Sequence, residues 1–120
     1  MTEIQKPKQY DLEERTLRFF KNIIGLCKKL PRDTVNIELI KQLIRATGSV
    51  GANYREANES ISKKDLNFRI RISRKEAKKS HYWLQALLEA NLVLKTETDP
   101  LVKESLELAR IFSSIMIKTK

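Results

Sequence analysis

Little in this chain is equipped for covalent or metal chemistry. Its 120 residues include one cysteine, one histidine, one tryptophan, three glycines and three prolines. A single cysteine excludes a disulfide framework and any cysteine-based metal cluster. Cys27 lies inside an apolar helical pattern, where a buried small hydrophobe is the natural reading. One histidine cannot supply the paired imidazoles of an HExxH helix or the repeated Glu-x-x-His of a metal-binding bundle. His81 falls between an apolar and a basic face, a place that packing explains better than proton transfer. No glycine-rich strand-to-helix turn is present to hold phosphates. The serines lack a base and an orienting acid. The expectation is a non-catalytic protein with no cofactor and no metal.

Long apolar runs are also missing. No segment approaches the length of a bilayer span, and MTEIQKPKQY has no apolar stretch of the signal-peptide kind. A cytoplasmic protein with no membrane partner is expected. The scarcity of glycine and proline, beside 32% charged and 41% hydrophobic residues, argues for helices over loops or disorder. The length suits a single domain over 1–120, with 1–10 and 118–120 frayed. A domain this small leaves much surface exposed, which favours oligomerisation.

Charge of one sign is abundant. The net charge is +9, and residues 61–90 alone carry eight basic and three acidic side chains. A local excess of this kind favours a polyanion partner over mere solubility.

The apolar period divides the chain into four helices. Helix 1 is predicted from Asp11, capped in box fashion with Glu14, to Leu30, before Pro31. Its stripe is Leu12, Phe19, Ile23, Leu26, Cys27 and Leu30. Helix 2 is predicted over Val35–Glu59, started by Asp33 or Thr34. Its core stripe reads Ile37, Ile40, Ile44, Thr47, Gly51 and Tyr54. Gly48, Gly51 and Ala52 cluster at its middle, where close approach of another helix would justify the roughly 1 kcal/mol that each glycine costs. A kink is the rival explanation. Helix 3 opens at Ser62 and Asp65 and continues to Ala90. Helix 4 is predicted to begin at Asp99-Pro100, with Leu101, Ser105, Leu108, Phe112 and Ile115 facing inward. Short connections between long helices imply an antiparallel up-and-down four-helix bundle.

Helix 3 carries three faces. Leu66, Ile70, Ser73, Ala77, Leu84, Leu87 and Leu88 point inward. Phe68, Ile72, Trp83 and Ala86 form a second apolar stripe. An exposed aromatic stripe is a liability on a monomer, so Phe68, Ile72 and Trp83 are expected at an oligomer interface; a wider intrachain core is the alternative. The remaining arc holds Lys63, Lys64, Arg71, Arg74, Lys75, Lys78 and Lys79. These cations can match phosphates and bind by releasing counterions, without reading sequence. Tyr82 lies beside them. It either stacks on an unpaired base or simply packs on lysine stems. On helix 2, the polar stripe Gln42, Arg45, Ser49, Asn53 and Glu56 reads as a recognition surface or a network fixing oligomer register, against an ordinary hydrogen-bonded surface.

The segments QLIRATGSVGANYREANE and SKKDLNFRIRISRKEAKKSHYWLQALL closely resemble the four helix bundle protein family, also described as 23S rRNA intervening-sequence proteins. The likeness extends from YDLEERT to ELARIFSSI. It implies an up-and-down bundle assembling into a ring-like homo-oligomer, a homopentamer, with a basic surface. The accessory variability protein of diversity-generating retroelements is similar in fold; it assists a reverse transcriptase and binds nucleic acid. The resemblance therefore implies nucleic acid as a partner, and a protein partner such as a reverse transcriptase or ribonucleoprotein. It carries over no catalytic residues. Relatives often have an acid where this chain has Lys79, which makes the arc here more basic. Two functions fit: an RNA- or ribonucleoprotein-binding accessory oligomer, or a structural adaptor for an acidic protein.

Overall fold

The computed structural model describes residues 7–119, with side chains described over 12–116. Residues 1–6 and 120, within the termini expected to fray, lie outside the described residues. Four helices are present: α1 Pro7–Cys27, α2 Thr34–Asn58, α3 Lys63–Ala90 and α4 Lys95–Thr119. Among the described residues there is no strand. α2 packs against α1 and α3, and α4 packs against α3 and α1. Neighbours joined by connections this short run antiparallel.

The caps follow the sequence in α2 and α3. The Asp33 carboxylate accepts from the Asn36 backbone N–H at 2.8 Å, and the Ser62 hydroxyl accepts from the Asp65 N–H at 3.1 Å. Both satisfy donors that a helix start leaves orphaned. α1 differs from expectation. It begins at Pro7, a residue suited to a first turn, so Asp11 is interior rather than the cap. It also ends at Cys27, the next residues closing a tight turn in which Leu30 N–H donates to Cys27 O at 3.2 Å.

The start of α4 is a second correction. A 3-10 turn over Leu92–Leu94 rolls directly into a helix that begins at Lys95. The Thr98 hydroxyl donates to Leu94 O at 2.8 Å, and Lys95 pairs with Asp99 at 2.7 Å one turn on. Pro100 therefore lies inside the helix. It removes one main-chain bond, to Thr96. Both residues are exposed, so water reaches the freed carbonyl.

The core gathers Phe19, Ile23, Leu43, Val50, Ile70, Leu84, Leu87, Leu108 and Phe112, all at 1% exposure or less. The stripes foreseen on α1 and α4 fill it, Ile115 being half-buried. On α2 the buried line is Asn36, Leu43, Ala46, Thr47, Val50, Tyr54 and Ala57. Ile37, placed in the core from its spacing, is 42% exposed. Ile40 and Ile44 are half-buried and pack on the core edge. The small residues Ala46 and Ala57 occupy the centre because neighbouring helices come close there.

That closeness can be measured. A Cβ built on Gly51 would sit 2.9 Å from Thr16 Oγ1 and 3.2 Å from Thr16 Cβ, and one on Gly48 would lie 3.1 Å from Phe20 Cζ. The mid-helix glycines thus admit α1. On the other flank, the Ser73 hydroxyl of α3 donates to the Val50 carbonyl of α2 at 2.9 Å. At the end holding both other connections, Asn36 and Asn91 exchange side-chain amide bonds of 3.0 and 2.8 Å while buried. Arg15 clamps Glu104 with two bonds of 2.7 and 2.9 Å, joining α1 to α4.

Two predictions follow from this packing. Gly51→Ala should lower stability by about 1–3 kcal/mol, because overpacking against buried Thr16 outweighs the gain in helix propensity. Gly25 has no atom within 4 Å of a built Cβ. Gly25→Ala should therefore raise stability by about 0.5–1 kcal/mol. Urea unfolding followed by circular dichroism measures both.

Burial also pushes the Cys27 thiol up from 9.0 to about 11. The folded chain holds this proton more tightly than the unfolded chain. The stabilisation is complete below the unfolded value and is lost as pH rises from 9.0 to about 11. Tyr54 shifts upward too, chiefly by burial, with its Asn58 hydrogen bond opposing and Glu13 adding. The urea midpoint should fall through this alkaline window. Cys27→Ala should flatten the slope by up to about 1.4 kcal/mol per pH unit and leave the Tyr54 contribution in place.

Candidate nucleic-acid interface

α3 buries Ile70, Ser73, Ala77, Ser80, Leu84 and Leu87. At about 100° per residue, that choice turns the opposite arc to solvent. Lys63, Lys64, Arg71, Lys75, Lys78 and Lys79 are exposed there and Arg74 is half-buried. From Lys63 to Lys79 the row runs for about 24 Å of helix. Seven cations on one arc raise the local positive potential. Among the described residues, the only one of the seven in an ion pair is Lys79, which meets Glu76 at 3.5 Å. The lysine end of that contact is exposed while the Glu76 side chain is largely covered, and 3.5 Å is a long contact for an ion pair. The eighth cation of this region, Arg69, faces the other way. Its Nη1 donates to Asn53 Oδ1 at 3.0 Å, and its guanidinium lies 5.8 Å from the Phe68 ring centre.

A groove of about 460 Å³ lies along this face, lined by Arg71, Arg74, Lys75, Lys78, Lys79, Tyr82 and Trp83. Tyr82 is 64% exposed. Its ring stands edge-on to Trp83, with centroids 5.0 Å apart and planes at 81°. Trp83 is half-buried and rests on the chain's own core. His81, on the flank of the arc, is half-buried as its boundary position suggested.

The second apolar stripe is divided. Phe68 is 55% exposed, whereas Ile72, Trp83 and Ala86 are half-buried. Part of the stripe is thus covered within the chain, and Phe68 is its free end.

The polar stripe of α2 is bonded at one place, between Asn53 and Ser49. Asn53 Nδ2 donates to Ser49 Oγ at 2.9 Å and to Ser49 O at 3.0 Å. Gln42 Nε2 donates to Glu38 at 3.4 Å. Arg45 and Glu56 are exposed. The bond from Arg69 ties this strip to α3. Arg69 lies outside the cationic arc expected from the sequence; its place one turn before Ser73, on the α2-facing flank of α3, is the sequence signal for this contact.

Among the described residues no group of three or more His, Cys, Asp or Glu side chains could hold a metal ion. None of the described helices is long and apolar enough to cross a membrane.

Nothing among curated proteins matches this chain. Among solved structures, it is similar to a protein with unknown function from the S23 ribosomal protein family of Bacteroides thetaiotaomicron VPI-5482, whose crystal structure was determined at 1.70 Å resolution. The two are 27% identical, the alignment covers 87% of this chain and 96% of that one, and the TM-score is 0.76. The model of the 23S rRNA-intervening sequence protein family matches residues 8–114, a span that takes in nearly all of the four helices. The chain belongs to the 23S rRNA-intervening sequence protein family.

Proposed function

We propose that this protein is a non-catalytic, oligomeric accessory protein that binds nucleic acid, in particular structured RNA or a ribonucleoprotein, through the outer face of α3. The observation that carries this reading is the row of exposed cations from Lys63 to Lys79, of which Lys79 alone pairs with a carboxylate among the described residues. Buried side chains would need compensating acids; solvated ones leave their charge available to an incoming anion. Phosphates meeting Arg71, Lys75 and Lys78 would release condensed counterions, and that release supplies affinity without sequence readout. Membership of the 23S rRNA-intervening sequence protein family and likeness to an S23 ribosomal protein family member support an RNA setting.

The assembly belongs to the same proposal. A ring-like homo-oligomer, with five copies as the family resemblance implies, would cover Phe68 and repeat the α3 face around its perimeter. A repeated face multiplies weak electrostatic contacts into avidity. Its partner in the cell would be an RNA, a ribonucleoprotein or a polymerase bound to one.

Filter binding of a structured RNA across a salt series tests the first part. Affinity should fall steeply with salt, the log–log slope growing with the number of phosphates neutralised. The triple variant Arg71→Glu, Arg74→Glu, Lys78→Glu should lose binding while keeping its helical circular dichroism. Binding that ignores salt, or that survives the triple variant, would refute the face. A protein captured from nuclease-treated lysate in place of RNA would favour the adaptor reading.

Light scattering tests the second part. Wild type should be a monodisperse oligomer, and Phe68→Asp, at an exposed site, should shift it toward monomer without unfolding. A monomeric wild type would end the ring proposal.

A further inference from the structure

Cations alone do not choose between a duplex and a single strand, because both present phosphates. The choice must come from whatever lies among them. Tyr82 lies among them. It is 64% exposed, shares its groove with Lys75, Lys78 and Lys79, and stands edge-on to Trp83. We infer that the nucleic acid taken on this face is unpaired, with a base stacked on the Tyr82 ring between flanking phosphates held by Lys75, Lys78 and Lys79. The inference rests on the proposed nucleic-acid reading and narrows it.

Three observations bear on it. First, no hydrogen bond to the Tyr82 hydroxyl is found among the described residues, so no structural bond explains why a large ring stands in solvent. A tyrosine serving the core would be turned inward, as Tyr54 is at 4% exposure. Second, the ring is braced. Trp83 rests on the core, and its indole meets Tyr82 at 81°. A near-perpendicular contact of this kind supports the phenol on one side and leaves much of the ring open to solvent. A pre-set platform loses little freedom when a base settles on it. Third, the groove walls are lysine and arginine stems with two rings. Their hydrocarbon suits a flat base, and their charged ends reach outward to phosphate.

A duplex offers this arrangement nothing comparable. Its bases are stacked on one another and its outer surface is sugar and phosphate, which would cover Tyr82 without pairing its ring. An unpaired base has an open π-face of its own. The spacing suits a strand as well. Lys78 and Lys79 precede Tyr82 by four and three residues, so all three lie on one side of α3. Lys75 continues the line one turn earlier.

Fluorescence anisotropy with a labelled single-stranded oligouridylate, and separately with an RNA duplex of the same length, tests the inference on the full chain. Tyr82→Ala should weaken the single strand by about 5- to 150-fold, the range of base–aromatic stacking, and leave the duplex unchanged. Tyr82→Phe should restore wild-type affinity, since the ring and not the hydroxyl carries the contact. Trp83, the single tryptophan of the chain, reports from the same groove. Its emission should change on adding the single strand, and Tyr82→Ala should abolish most of that change.

The outcomes separate. If the triple charge reversal abolishes binding but Tyr82→Ala affects neither ligand, or both equally, the stacking inference falls and the cationic face stands. If wild type binds neither ligand at low salt, the nucleic-acid reading itself falls. Circular dichroism of Tyr82→Ala should match wild type, because the side chain is exposed; a folded variant with full single-strand affinity overturns the inference directly.

Discussion

The fold turns on how closely α2 lets its neighbours approach at two adjacent residues. Gly51 leaves room for Thr16 of α1, and the carbonyl of Val50 accepts the Ser73 hydroxyl of α3. A larger residue at 51 would push α1 away. Loss of the Ser73 hydroxyl would remove the one side-chain bond from α3 to the buried backbone of α2 at this point, leaving the apolar face of α3 to hold its orientation. With Ser73 fixed on α2, the helical period fixes the rest of α3. Residues two away from Ser73, such as Arg71 and Lys75, must point to solvent. The outward face of α3 is thus a geometric consequence of a buried contact on its inward face. Electrostatics then follows from packing, and whatever the protein binds there is presented by the core.

The same logic explains which parts of the molecule were legible in the sequence. Stripes on α1 and α4 were clear, since large apolar residues recur at the helical period with no competing pattern. So was the cap at Ser62, and of the two starts open for α2, Asp33 and Thr34, Asp33 is the one that caps. α2 was harder. Its three isoleucines, Ile37, Ile40 and Ile44, lie on a flank, while Leu43, Val50 and Tyr54 share the buried line with the smaller Ala46, Thr47 and Ala57. Periodicity weighted by size picks the wrong line when helices are close enough for small residues to share the central packing. The start of α4 was missed for a related reason. Asp99-Pro100 has the look of a helix start, but a 3-10 turn had already begun the helix at Lys95, and its early turns tolerate the proline.

The candidate site divides in the same way. Its cations were visible as an arc because α3 has an unambiguous inward face. What the sequence could not supply was partnership. Arg69 has the same composition as its neighbours, yet it is bound by Asn53 and lies by Phe68. Lys79 meets Glu76. Nor could it show that Trp83 rests on the core while Tyr82, next to it, stands free. Pairing and bracing depend on the side chains of two helices at once, and no single-helix wheel contains them.

One further feature has reach beyond the site. The amides of Asn36 and Asn91 each donate to and accept from the other across 55 positions of chain. Asn36 also donates to Pro31 O, and Asn91 to Leu87 O. Removing either amide leaves the other with its backbone bond but an unmatched buried side-chain oxygen, at about 1–3 kcal/mol, whereas exchanging both for matched apolar groups is far milder. The two positions are therefore energetically coupled, so that a change at one alters the cost of a change at the other. A lineage that drifts at one site is under pressure to follow at the other, and descendants should carry both amides or neither.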